Sequence, residues 1–119
     1  MADPLLARVP DGRMLRRLDN GLEIVRRRKH EPVGEEVALS QSDKRAGSKF
    51  LPAWTLERVV DWIEQQLRQP KCPVQPGAPA SHQVRLGELV GFCRGIKVHT
   101  IRIVSDGAYV HAYPVEDQP

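Results

Sequence analysis

The sequence predicts an α+β domain, an antiparallel sheet of about four to six strands with one main helix packed on one face. Three observations predict it. The run from Gly95 to Val115, GIKVHTIRIVSDGAYVHAYPV, alternates apolar and polar residues around an Asp106-Gly107 turn. The stretch from Leu56 to Leu67 instead repeats its apolar residues at helical spacing. The remaining apolar segments are short and separated by Gly, Pro and Asn, as strands are. The 119 residues suffice for one core and are too few for two, so 1–119 reads as a single domain. Residues 1–13 form its N-terminal arm or a short helix, and 14–117 its α+β core.

Composition narrows the function classes. Apolar residues make up 40% of the chain and charged residues 28%, the balance of a globular domain. No run approaches the roughly 20 apolar residues of a membrane span. The N-terminus, MADPLLARVPDG, lacks a basic region followed by an apolar core, so any export would go through a larger secreted polypeptide or a partner. The net charge of +3 is too mild to specify nucleic acid by itself. Cys72 and Cys93 lack the spacing of a zinc site, and read either as free thiols or as a pair across the Pro-rich loop. Four scattered histidines and the absence of GxGxxG, Walker and HExxH patterns leave no metal or cofactor expected.

Taken in order, Met14 to Val25 reads as a hairpin around Asn20-Gly21, a two-residue type I′ signal. Arg26, Arg27, Arg28 and Lys29 follow and run into His30; they form either a solvated strand edge or a phosphate-binding patch. Residues 35–40 suit a short strand, and 41–48 a polar loop containing Lys44. Thr55 caps the helix, with Leu56, Val59, Val60, Ile63 and Leu67 on one stripe. Trp54, just before the cap, is placed to staple onto Val59, and Trp62 reads as core. Four prolines make 70–80 an irregular crossing loop, His82 just beyond it reads as an incidental loop residue, and Gln83 to Phe92 is a strand kinked near Gly87.

The final hairpin follows. With Asp106 and Gly107 as its loop, Ser105 pairs with Ala108, Ile103 with Val110, Arg102 with His111 and Thr100 with Tyr113. Alternation then turns Ile101, Ile103, Val110 and Ala112 toward the helix. Thr100, Arg102, His111 and Tyr113 share the opposite, open face, which is either an active-site floor or a solvated surface. His99 falls on the core-facing register as a structural residue, and 115–119 form a frayed tail.

Histidines, a cation and a hydroxyl are the parts for metal-free RNA cleavage. One imidazole takes the 2′-hydroxyl proton, another protonates the 5′-oxygen, and a cation stabilises the phosphorane. Histidine fits both roles because it titrates near neutral pH.

The segments GSKFLPAWTLERVVDWIEQQL and GIKVHTIRIVSDGAYVHAYPVED, over residues 44–117, resemble the C-terminal half of bacterial EndoU-type ribonuclease toxin domains. That family has a lysine near an aromatic-Pro-x-x-Trp motif, a helix, and a hairpin ending in Thr-x-Tyr-Pro. The counterparts here are Lys49, Phe50, Pro52 and Trp54, the helix from Leu56, and His111-Ala112-Tyr113-Pro114. Similar hairpins occur in the wider barnase-, colicin D- and RelE-like toxin group, whose helix-plus-sheet core agrees with the fold expected above. The chain departs from the family in having only His30 upstream of the lysine, with no Gly-Gly-His, in a Pro52–Trp54 spacer one residue short, and in His111 standing for the threonine. The resemblance implies an endoribonuclease toxin acting on tRNA or rRNA in the cytoplasm of a target cell, held off at home by an immunity protein. It implies His30 and His111 as the acid/base pair, Lys49 or Lys44 as the phosphate cation and Tyr113 as a site residue; Arg102 and Thr100 of the open face, Lys44 and the run Arg26, Arg27, Arg28 and Lys29 are the expected RNA contacts. The alternative reading is a non-catalytic module of the same fold that binds RNA or protein.

Overall fold

A computed structural model describes residues 14–25 and 48–118. The N-terminal arm, the strand expected at 35–40, the Arg26–Lys29 cluster, His30 and Lys44 lie outside the described residues.

The fold is α+β. Among the described residues the strands are β1 (Met14–Arg17), β2 (Glu23–Val25), β3 (Lys49–Phe50), β4 (Ala80–Arg85), β5 (Gly91–Cys93), β6 (Ile96–Val98), β7 (Thr100–Ser105) and β8 (Tyr109–Val115). The helix among the described residues, α1, spans Leu56–Leu67, the boundaries the apolar spacing predicts. The Thr55 hydroxyl caps it by accepting from the Arg58 N–H at 3.2 Å. Val59, Val60, Trp62 and Ile63 form its buried side. They pack with Leu22, Ile24, Ile101, Ile103, Val110 and Ala112, so the expected inner face of the final hairpin does meet the helix.

Two sheets replace the single one expected. The larger has the order β1-β2-β8-β7-β4, the smaller β3-β5-β6. The larger is mixed, because β2 runs parallel to β8, with Ile24 opposite Val110. The whole helical and hairpin segment lies between those strands, ample for the crossover a parallel pair needs.

The second sheet arises from one bulge. Leu86 N–H donates to His99 O, and Val90 N–H to Val98 O, both at 2.9 Å. One strand therefore advances from Leu86 to Val90 while its partner moves only from His99 to Val98, and Gly87, Glu88 and Leu89 loop out. The kink expected near Gly87 is thus large enough to end one sheet and begin another. The period-two run from Gly95 is consequently not one hairpin: β6 belongs to the smaller sheet and β7 to the larger, with His99 at the joint. His82 lies within β4, opposite Ile103, rather than in a loop.

Both expected hairpin turns differ from expectation, and the type I′ geometry occurs elsewhere among the described residues. The two-residue type I′ turn is Arg94-Gly95, both at positive φ (53° and 76°), between the paired Cys93 and Ile96. At Asn20-Gly21 only the glycine has positive φ, and Leu18 bonds Leu22 across a three-residue loop. At Asp106-Gly107 the strands close at Ser105 and Val110, leaving a four-residue loop. There the Asp106 carboxylate accepts from the Ala108 and Tyr109 N–H groups, each at 2.9 Å, and so holds the wider turn from within. Gly107 also docks this tip onto the Pro-rich loop. Its carbonyl accepts from Gly77 N–H at 2.9 Å, and a Cβ on Gly107 would sit 2.6 Å from Ala78 N.

Candidate functional site

The wider Asp106 loop moves the β7–β8 register by two residues. His111 faces Val104 and Tyr113 faces Arg102, instead of the expected Arg102–His111 and Thr100–Tyr113 pairs. A two-residue shift preserves the alternation, so the face assignments survive. Ile101, Ile103 and Val110 are fully buried on the helix side. Arg102, Val104, His111 and Tyr113 are half-buried on the other side.

That outer face is organised in cross-strand rows. Ser81, Val104 and His111 make one row, Gln83, Arg102 and Tyr113 the next, and Arg85, Thr100 and Val115 the third. The His111 and Tyr113 rings, two residues apart on β8, stack with centroids 5.9 Å apart and planes 25° from parallel. Arg102 is directly across from Tyr113, its Nη2 at 3.5 Å from Ser81 Oγ and its Nε buried without a hydrogen bond. Such a buried donor costs about 1–3 kcal/mol of desolvation, which neighbouring bonds must offset. Toward β2 the same face closes, with Val25 and Tyr109 buried.

Among the expected site residues, the structure brings together His111, Tyr113 and Arg102, with Thr100 one row away. Lys49 is on β3 of the smaller sheet, paired with Phe92 and only 8% exposed. The order lysine-Phe50-Trp54 has a packing reason. Phe50 stacks on Trp54 at 6.3 Å, and Trp54 meets Trp62 edge-on at 6.2 Å. The Arg58 guanidinium lies 3.9 Å from the centre of the Trp54 ring and reaches Glu88 at 2.6 Å. Trp54, Trp62, Asp61, Leu86 and Glu88 help to line a shallow cleft of about 300 Å³ beside that stack.

Thr100 is buried for a reason the sequence pattern hides. Its hydroxyl donates to Asp117 Oδ1 at 2.7 Å, and the His99 N–H donates to the same oxygen at 2.8 Å. The other oxygen, Oδ2, sits 2.9 Å from His99 Nδ1. Burial works against the Asp117 charge, but the bonds from the His99 ring, Thr100 and the His99 N–H, with the Arg85 guanidinium nearby, outweigh it and hold the carboxyl down to about 2. The chain just beyond Val115 is therefore fastened to the sheet joint at Asp117 rather than frayed, while Pro119 lies outside the described residues. No local periodicity points to Asp117; the available signal is a carboxylate just beyond a strand whose antiparallel partner begins His-Thr.

Cys72 and Cys93 are both free thiols, which decides between the two expected states. Burial pushes the Cys93 thiol up and Glu116 adds to it, against the opposing pull of Arg94. Among the described residues no group of three or more His, Cys, Asp or Glu side chains is placed to hold a metal ion, and no helix is long and apolar enough to cross a membrane. Comparison with protein-family models, with curated proteins and with solved structures finds no match to this chain.

Proposed function

We propose that the chain is a metal-independent endoribonuclease toxin domain that cleaves RNA by transesterification on the outer face of β7 and β8. The observation that carries this reading is the His111–Tyr113 stack with Arg102 directly opposite. It sets a titratable imidazole, a phenol and a fixed cation side by side on a sheet floor, and stacked rings also make a platform for an unpaired base.

In this reading the 2′-hydroxyl of the RNA loses its proton to a base and its oxygen attacks the adjacent phosphorus. The 5′-oxygen leaves and takes a proton from the His111–Tyr113 pair. Arg102 faces the charge that grows on the phosphorane. The products end in a 2′,3′-cyclic phosphate and a 5′-hydroxyl. The resemblance pairs His30 with His111 and adds Lys49 or Lys44 as a phosphate contact, and the charge run Arg26–Lys29 supplies further ones. The resemblance alone supports tRNA or rRNA as target, action in the cytoplasm of a target cell after delivery in a larger polypeptide, and restraint by an immunity protein. Burial of Lys49 in the smaller sheet favours Arg102 as the cation nearest the stack.

The test is incubation of the protein with total tRNA and rRNA in EDTA, followed by analysis of the product ends. Cyclic phosphate ends are expected, with the rate lower by about a hundredfold or more in His111→Ala. RNA retained without cleavage would replace the reading with the binding module of the same fold.

A further inference from the structure

The joint between the two sheets contains a further histidine, His99, held in a defined hydrogen-bonded setting. His99 sits where the chain leaves β6 for β7, opposite the looped-out residues Gly87–Leu89. Bulges of this kind re-aim side chains, and this one takes His99 out of the strand alternation that would have buried it. The imidazole faces Asp117 through Nδ1 at 2.9 Å, and Asp117 is itself fixed by the Thr100 hydroxyl and the His99 N–H. An acceptor-only carboxylate at that distance makes Nδ1 the protonated nitrogen of the neutral ring. The lone pair is then on Nε2, which makes no hydrogen bond among the described residues, and the side chain is 34% exposed.

A proton-accepting imidazole whose tautomer and orientation are set by a carboxylate is the arrangement of a general base. Its surroundings suit an anionic substrate. Arg85 is opposite Thr100 on β4, and Arg102 is one two-residue step further along β7, a distance of about 7 Å. Tyr113 is opposite Arg102. His111 is a further step away, so Tyr113 is the end of the stacked pair nearer to His99.

We propose that His99 is the general base of the outer-face site, oriented by Asp117, in the place the resemblance offers to His30. The assignment rests on the reading of that face as RNA-cleaving. His99 Nε2 takes the proton of the 2′-hydroxyl, and the 2′-oxygen forms its bond to phosphorus. The bond from phosphorus to the 5′-oxygen breaks, its electron pair stays on that oxygen, and the oxygen takes a proton from the His111–Tyr113 pair. The His99 imidazolium then gives one proton to water and the pair takes one back. Arg102 and Arg85 hold the phosphate throughout. Asp117 is a positioning residue.

The experiment compares RNA cleavage by the full chain, by His99→Ala with and without imidazole in the buffer, and by Asp117→Asn. Expected are a kcat lower by about a hundredfold in His99→Ala with little change in KM, partial recovery on adding imidazole, and a loss in Asp117→Asn that falls on kcat rather than KM. Nitrogen-15 spectra of the wild-type protein are expected to show His99 protonated on Nδ1 at neutral pH. If His99→Ala does not fold, His99→Gln, which keeps a donor for Asp117, is measured in its place and is expected to be folded and inactive. Wild-type cleavage by the His99 variant, while His111→Ala is impaired, overturns the assignment and leaves the ribonuclease reading standing. So does a folded His99→Ala whose lost activity imidazole does not restore, or an Nε2–H tautomer. Absence of cleavage by the wild-type protein removes both.

Discussion

Gly91 has less room for a side chain than Gly21, Gly77, Gly87 or Gly107. A Cβ there would fall onto the Lys49 carbonyl oxygen and 2.6 Å from Pro114 Cγ, because β5 passes directly over β8. Gly91→Ala is expected to cost about 1–3 kcal/mol in urea unfolding, since the obstruction is backbone and a ring rather than a flexible tip. Gly87→Ala is the matched control: nothing lies within 4 Å of its Cβ position, and the expected change is within about 0.5 kcal/mol. Asp117 carries a pH signature. Its carboxyl is depressed to about 2 in the folded chain against an ordinary 3.8, so it favours folding wherever the unfolded chain would bind the proton more readily. That contribution is complete above about pH 4 and fades as pH falls toward 2. Unfolding midpoints measured across that window should fall more steeply for the wild-type chain than for Asp117→Asn; parallel curves would remove Asp117 as the source.

At the scale of elements, the helix was the most legible part of the sequence. Its boundaries, its cap and its buried side follow from local rules, and Thr55→Ala should cost about 1 kcal/mol by the loss of one capped N–H. The turns were the least legible. Asn-Gly and Asp-Gly are the strongest two-residue signals, yet the type I′ turn formed at Arg94-Gly95. The others were decided by features outside the dipeptide. The Asp106 carboxylate holds two N–H groups of a wider loop, and Gly107 docks on Gly77. Arg94 sits at φ 53°, a conformation asparagine adopts more readily, so Arg94→Asn should leave stability unchanged or raise it by a few tenths of a kcal/mol. Its ion pair with Glu116, 3.4 Å between exposed side chains, is worth little against that. A clear fall in the thermal midpoint of Arg94→Asn would show that the pair matters more than the turn.

For the whole molecule, the class was readable and the division into two sheets was not. The class follows from periodicity, which survives any even shift of register; this is why Ile101, Ile103 and Val110 are buried although every predicted cross-strand pair was two residues out. The division depends on three residues looping out opposite His99, which no local pattern announces. The candidate site was legible to the same extent. His111, Tyr113 and Arg102 share a face because faces follow from alternation, whereas the His99–Asp117 pair needed the bend in the hairpin.

The claim that joins these scales is that the outer face promotes attack by a ribose 2′-hydroxyl. The most direct measurement offers the protein, in EDTA, an RNA strand and a DNA strand of the same sequence. The RNA is expected to be cut to 2′,3′-cyclic phosphate ends, while the DNA, which lacks the internal nucleophile, stays intact. Equal cutting of both strands, or an intact RNA, would contradict it.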